Sequence, residues 1–151
     1  MKIGFVASSG GHWAELMCIK HLAEGRQCFF VTEEGGQAEE SRETPLYTLP
    51  QINRHEKSFL LHFFRLFRNA ERILKKERPN VLVTTGALIA YPFCLLTKLR
   101  GGKVIYIESF ARVNKKSLTG RLVYPFADLF IVQWETMQQL YPKAKFYGGI
   151  F

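Results

Sequence analysis

No stretch of this chain approaches the ~20 consecutive apolar residues that cross a bilayer, so no membrane-spanning helix is expected. The opening MKIGFVASSGG runs into glycines too early for a secretory leader and reads as a buried strand. Cysteine is scarce: Cys18, Cys28 and Cys94 are scattered, with no C-x-x-C pair and no histidine at ligand spacing. Such an odd set points to reduced thiols in a cytosolic core rather than to a disulfide framework, and no metal is expected. Repeats, low-complexity tracts and Pro/Gly/Ser-rich linkers are missing too, which leaves one domain, 1–151. Acidic residues are also in deficit, 13 against 21 Lys+Arg, giving a net charge of +8. A surplus of that size calls for a polyanionic neighbour: nucleic acid, an anionic membrane or a phosphorylated ligand.

What the chain does have is apolar substance. It is 47% hydrophobic and carries 13 phenylalanines, more than one small core hides. Disorder is excluded, and some aromatic surface is expected to face a lipid or a partner.

Short apolar runs at Lys2–Ala7, Cys28–Thr32, Val81–Thr85, Lys103–Ile107 and Leu129–Gln133 lack polar–apolar alternation and read as strands buried on both faces. Pro45–Leu49 is a weaker strand, and Lys145–Tyr147 a short last one. Helical patterns lie between them at Trp13–Ala23, Phe59–Lys76, Leu88–Leu99, Leu118–Phe126 and Thr136–Leu140. This alternation predicts an α/β fold, a single Rossmann-like domain with a mostly parallel doubly wound sheet. Ligands of such sheets gather at the carboxyl ends of the strands.

Three of those ends carry distinctive residues. After the first strand, Ala7-Ser8-Ser9-Gly10-Gly11-His12-Trp13 opens a helix. Paired glycines bring backbone amides close to an oxygen-rich group, and the helix N-terminus adds partial positive charge. Neither G-x-G-x-x-G nor G-x-x-x-x-G-K-[ST] is present, so the loop is not a dinucleotide fingerprint or a P-loop. His12 at this junction serves either as a general base or as a cap on backbone groups. At a second end, Thr85-Gly86 offers further amides. At a third, Glu108 closes a buried strand, where a carboxylate is costly unless paired or used. Arg112, four residues on, either pairs with Glu108 or clamps a phosphate oxygen.

The segment Lys57–Lys76 (KSFLLHFFRLFRNAERILKK) is amphipathic. Phe59, Phe63, Leu66, Phe67, Ala70, Ile73 and Leu74 form one face, with Leu60 at its margin, and Arg65, Arg68, Arg72 and Lys76 lie opposite. One reading is a crossover helix with a solvated basic back. The other is an interfacial helix on an anionic membrane, with Phe59, Phe63, Phe64, Arg65, Phe67, Arg68 and Arg72 at the surface; the helix start could touch lipid while its end packs on the sheet. Nucleic acid is the weaker partner, because no binding module is recognisable and the aromatics sit on a helix rather than an exposed sheet.

With these residues in place, YIESFARVNKKSLTGRLVYPFADLFIVQWETMQQLYPKAKFYGGIF, together with SSGGHWAELM, resembles a known family. It is that of the membrane-associated subunit of the two-part N-acetylglucosaminyltransferase of eukaryotic asparagine-linked glycan assembly, with its bacterial capsular and exopolysaccharide relatives. Both segments are also similar to the amino-terminal domain of the peptidoglycan glycosyltransferase acting on lipid-linked muramyl substrate. The resemblance implies the amino-terminal half of a GT-B glycosyltransferase: an acceptor-binding, membrane-associating half-domain spanning 1–151. The chain starts directly at strand one, unlike the anchored eukaryotic members, and stops where a linker to a donor domain is expected. Peripheral attachment to the inner face of the cell membrane and a donor-binding subunit on a separate chain are therefore implied.

On that footing Ser9, Gly10, Gly11, Gly86 and Arg112 are expected to hold a polyprenyl-diphosphate-linked sugar acceptor. His12 or Glu108 is expected to act as base, without a cofactor, in a hexosyl transfer that requires the partner. Trp134, Tyr141, Tyr147 and Phe151 are expected at the partner interface. The alternative is a non-catalytic membrane scaffold that recruits and activates the partner. A stand-alone nucleotide-binding protein, with Glu33 and Glu34 mimicking a ribose contact, is disfavoured by the missing fingerprint.

Overall fold

The structure, a computed structural model, describes residues 1–35, 44–51 and 58–150. Its strands are β1 Lys2–Ala7, β2 Gln27–Glu33, β3 Leu46–Leu49, β4 Val81–Gly86, β5 Lys103–Ile107, β6 Leu129–Val132 and β7 Lys145–Phe146. Its helices are α1 Gly11–Cys18, α2 Phe59–Glu77, α3 Ala90–Leu99 and α4 Leu118–Val123. The strands form one seven-stranded sheet in the order β3-β2-β1-β4-β5-β6-β7, parallel at every pairing. The expected α/β class and parallel sheet are present, including the two weak strands at the edges.

Successive side chains of a strand point to opposite faces, and both faces here are apolar. On one face Val6, Phe29, Leu82 and Tyr106 pack with Leu66, Ala70, Ile73 and Leu74 of α2 and Phe93 of α3. On the other, Phe5, Ala7, Val83 and Ile107 pack with Leu16 of α1. Gly4 is required in the middle of β1: a Cβ there would stand 2.6 Å from Cζ of Phe29, whose ring occupies that space.

Chain order reverses between β1 and β4, the point at which parallel sheets open a crevice. The β1–β4 register shifts there, between Val6 and Ala7, so that Ala7 faces Gly86. The backbone then turns sharply through Gly86 (φ 107°) and Ala87 (φ 70°), the latter a left-handed conformation unusual for a residue with a side chain. This turn delays α3 to Ala90, rather than Leu88 as its apolar pattern suggested.

Other helix ends also differ from the periodicity. Trp13–Ala23 divides into α1 and a 3-10 helix at Lys20–Ala23. The expected helix at Thr136–Leu140 is a 3-10 turn over Glu135–Gln139. Such segments are too short for i→i+4 bonding to prevail.

Two carboxylates anchor the sheet to its helices. Buried Glu77 at the end of α2 takes the Lys2 ammonium of β1 and the Tyr47 hydroxyl of β3. Asp128 takes Lys98 of α3 at 2.8 Å and Lys103 of β5 at 3.1 Å on one oxygen, and the Val104 amide at 2.9 Å on the other. Burial by itself raises the Asp128 carboxyl, but the two ammoniums and the amide outweigh it and hold it at about 2.

Candidate functional site

The carboxyl ends of β1, β4 and β5 are neighbours in the sheet, so the three sequence features meet at one edge. His12 Nδ1 lies 2.8 Å from the Thr85 carbonyl oxygen, and Thr85 Oγ1 donates back to the His12 carbonyl at 2.6 Å. A carbonyl only accepts, so Nδ1 carries a proton in this contact. Among the described residues Nε2 has no hydrogen-bond partner. One ring nitrogen thus ties the loop to β4, the capping role considered for His12. The backbone of Gly86 approaches the same ring, because a Cβ there would lie 3.6 Å from His12 Cε1 and 2.7 Å from the Tyr106 hydroxyl.

Glu108 is 1% exposed and its carboxylate is fully engaged. Oε2 accepts from Ser117 Oγ at 3.0 Å, the Ser117 amide at 3.3 Å and the Tyr141 hydroxyl at 2.9 Å, while Oε1 accepts from the Ser109 amide at 3.2 Å. Ser117 Oγ also caps α4 through the Gly120 amide at 2.8 Å. With its proton given to Glu108, Ser117 accepts from Tyr106 at 3.3 Å. Burial first, then the Glu108 charge, pushes the Tyr106 and Tyr141 hydroxyls well above their ordinary range, so both remain donors. The Glu108–Arg112 ion pair considered from the spacing is absent: the partners of Glu108 are Ser109, Ser117 and Tyr141, and Arg112 is exposed on a turn whose amide bonds the Ser109 carbonyl at 2.9 Å. Four donors around a buried carboxylate are the geometry of an anchor for the 109–117 loop rather than of a base reaching an acceptor hydroxyl.

The loop amides are partly committed as well. Glu33, buried at the end of β2, accepts from the Ser9 amide; burial raises its carboxyl and this bond partly offsets the rise. The Gly86 amide donates to Thr84 Oγ1 at 2.9 Å. Of the four amides expected to hold an anion, Gly10 and Gly11 are left, at the exposed start of α1. Among the described residues no group of three His, Cys, Asp or Glu side chains could hold a metal ion.

The burial of one further carboxylate was not anticipated. Glu15 of α1 is 4% exposed and accepts from Ser109 Oγ at 2.9 Å, the Phe110 amide at 3.1 Å and Gln133 Nε2 at 3.1 Å. Its signal in the sequence is slight, a lone acidic residue next to Leu16 in SSGGHWAELM, because its partners lie 94, 95 and 118 positions away.

The aromatic helix divides its residues between packing and surface. Phe59 stacks on Phe63 with centroids 5.7 Å apart, Phe67 meets Phe63 edge to face at 5.3 Å, and Phe63 and Phe67 meet Tyr91 of α3 at 6.4 and 6.2 Å. Phe63 and Phe67 are thus half-buried by α3 rather than turned outward. The exposed apolar residues are Leu60 (79%), Leu61 and Phe64 (63%), all in the first two turns, beside exposed Arg65 and Arg68, with exposed Arg72 further along. Among the described residues no helix is long and apolar enough to cross a membrane.

Of the expected partner residues, Tyr141 is a correction: it is fully buried, because its ring packs between Tyr124 and Phe130 and its hydroxyl serves Glu108. Trp134 is half-buried, donating Nε1–H to the Phe110 carbonyl at 2.6 Å with the two rings 4.8 Å apart. Tyr147 is 72% exposed, and Phe151 lies outside the described residues.

Known proteins share both sequence and fold with this chain. The family model described as "Oligosaccharide biosynthesis protein Alg14 like" matches residues 36–150. The UDP-N-acetylglucosamine transferase subunit ALG14 of Candida albicans is 47% identical over 79 residues, covering 48% of this chain and 36% of that protein. The subunit of the same name from Rattus norvegicus is 26% identical over 174 aligned positions, covering 96% of this chain and 81% of that protein. The matches span less than half the length of the first fungal relatives. In fold, the chain resembles MurG of Acinetobacter baumannii, with a TM-score of 0.72 at 16% identity, over 89% of this chain and 42% of that one. It also resembles the UDP-GlcNAc 2-epimerase of Neisseria meningitidis, with a TM-score of 0.69 at 12% identity, over 99% of this chain and 46% of that one. Each of these larger chains thus contains the present fold as less than half of its length, in keeping with the expected half of a GT-B architecture.

Proposed function

Since the chain belongs to the Alg14 family, we propose that it is one subunit of a split glycosyltransferase of lipid-linked oligosaccharide assembly. In this reading it presents a polyprenyl-diphosphate-linked sugar at a membrane, and a separate chain binds the sugar nucleotide. The observation that carries the reading is that His12 bonds Thr85 at the sheet's switch point, while Glu15 of the same helix bonds the start of the 109–112 turn after the next strand. The subunit names of its relatives support the need for a partner. A capsular or exopolysaccharide setting is the finer form of the proposal.

Transfer forms a bond from the acceptor oxygen to the donor's anomeric carbon as the bond to the departing nucleoside diphosphate breaks, so the acceptor hydroxyl must lie in line with that carbon and lose its proton. His12 Nε2 takes that proton, with Nδ1–H held by Thr85. The free amides of Gly10 and Gly11 at the start of α1, with Arg112 across the edge, hold diphosphate oxygens. Glu108 shapes the loop that carries Arg112. The exposed Leu60, Leu61 and Phe64 rest on the inner membrane face, with Arg65, Arg68 and Arg72 on anionic headgroups. Tyr147 and Phe151, with the edge of Trp134, meet the partner.

The engagement of Glu108 and of the Ser9 and Gly86 amides favours a second reading, a scaffold that recruits and activates its partner without joining the chemistry. One assay decides between them. The chain with its donor-binding partner is given UDP-N-acetylglucosamine and a polyprenyl-diphosphate sugar. The first reading expects transfer by the pair, none by the chain alone, and loss with His12→Ala; near wild-type turnover of His12→Ala leaves the scaffold. Transfer by the chain alone removes both.

A further inference from the structure

We infer that Glu15 is a positioning residue: it holds the 109–112 turn and the segment at Ile150 in register with the helix that carries His12. This deepens the proposed function and rests on it. Glu15 lies one turn after His12 on α1 and gathers three donors from two distant segments. Oε1 takes Ser109 Oγ and the Phe110 amide, and Oε2 takes Gln133 Nε2. Gln133, itself buried, continues the network: Nε2 also donates to the Glu108 carbonyl at 3.1 Å, and Oε1 accepts from the Ile150 amide at 2.9 Å.

The hydrogen-bond polarity of this network is determined throughout. Ile150 N–H only donates, so Gln133 must present its oxygen to it and its amino group to Glu15 and to the Glu108 carbonyl. Ser109 Oγ and Phe110 N–H donate from the opposite side. The group between them must accept at both ends, and a carboxylate does so where an amide cannot. Apolar packing of the same volume would hold α1 to the sheet at lower desolvation cost. The buried charge instead specifies one arrangement of three segments: the His12 helix, the turn bearing Arg112, and the segment following exposed Tyr147.

Glu15→Gln tests this in the full chain, first by amide hydrogen exchange. An NH2 group at one end faces either Gln133 or the Ser109–Phe110 pair. Exchange at Phe110 and Ile150 is therefore expected to quicken on the order of tenfold, while β1 and β4 amides keep their rates. Glu15→Gln with Gln133→Glu reverses the polarity of the central bond and leaves an acceptor for Ile150, but removes the donor to the Glu108 carbonyl, so both amides should recover part of their wild-type protection. In the reconstituted pair, Glu15→Gln lowers kcat by on the order of tenfold through misplacement, with KM for the sugar nucleotide unchanged. If Glu15→Gln does not fold, Ser109→Ala removes one donor and should quicken Phe110 exchange and lower kcat in the same direction. Unchanged exchange at Phe110 and Ile150, equal quickening of all amides, or an unchanged kcat overturns the inference. An inactive wild-type pair overturns the proposed function instead, and the exchange result still decides whether Glu15 holds these segments.

Discussion

Gly120 lies directly against the carboxylate of Glu108: a Cβ built at position 120 would collide with Oε2, and would stand 2.7 Å from the Tyr141 hydroxyl and 2.8 Å from Ser117 Oγ. All three atoms belong to the same buried network and none is the free end of a flexible side chain. Gly120→Ala must therefore push this network apart. A loss of about 2 kcal/mol in urea unfolding is expected from overpacking. A loss of only a few tenths would show that the space under Glu108 yields.

Tyr141→Phe and removal of Tyr147–Phe151 should separate core from partner surface. Deleting the Tyr141 hydroxyl leaves Glu108 short of one donor and should cost about 1–3 kcal/mol of stability, with pull-down of the donor-binding subunit unaffected. Truncation before Tyr147 also takes the Ile150 amide from buried Gln133, so it should cost about 1–3 kcal/mol while leaving the chain folded, and it should abolish the pull-down. Loss of partner binding in the first variant would return Tyr141 to the interface.

His12→Ala should lower kcat of the reconstituted pair by about a hundredfold or more, the scale of a lost general base. Thr85→Val removes the hydroxyl that holds the His12 carbonyl but keeps the Thr85 carbonyl at Nδ1, so a smaller fall is expected. Steady-state kinetics on both variants checks the order; a larger effect at Thr85 would assign the pair a purely structural role.

On vesicles containing anionic lipid, Leu60→Ser with Phe64→Ser and, separately, Arg65→Glu with Arg68→Glu and Arg72→Glu should each reduce co-sedimentation. Only the attraction removed by the second set is screened by salt. Each basic residue is expected to contribute roughly 1 kcal/mol near the surface. Phe63→Ser should act mainly on stability, because that ring packs on Tyr91. Equal sedimentation of all variants would dismiss α2 as the attachment surface.

Asp128 gives the acid side of the stability curve a specific contributor. Its folded carboxyl titrates at about 2, below its ordinary value of about 3.9. The unfolded chain therefore binds the proton first as pH falls. The stabilisation is complete above about pH 4 and is lost as pH falls through about 2; with solvent screening of a partly exposed group it amounts to about 1 kcal/mol. Asp128→Asn should lower stability at neutral pH and flatten the decline between those values, read from denaturant midpoints at a series of pH values.

The candidate site was legible where chemistry is local. SSGGH, Thr85-Gly86 and Glu108 each follow a strand, and the parallel order brings them to one edge. What each group does there was not legible. Glu108 looked like a base or an Arg112 partner because only near neighbours are visible along a chain; its donors are at Ser117, nine positions on, and Tyr141, 33 positions on. Glu15 and Gln133 lay inside the motifs that carried the family resemblance, yet neither motif reveals that they touch. The amphipathic pattern of α2 identified a helix with two faces, but not that Phe63 and Phe67 would be claimed by Tyr91 while Leu60, Leu61 and Phe64 stay outside.

The sequence alone determined the alternation of strands and helices, the burial of the sheet on both faces, and the placing of glycine turns at strand ends. These follow from backbone geometry and from hydrophobic period, which act over a few residues. Tertiary structure decided which buried carboxylates became anchors, which amides remained free, and which aromatics reached solvent. Hydrogen-bond saturation and ring packing depend on atoms that arrive from distant segments only when the sheet closes, and no local rule specifies them.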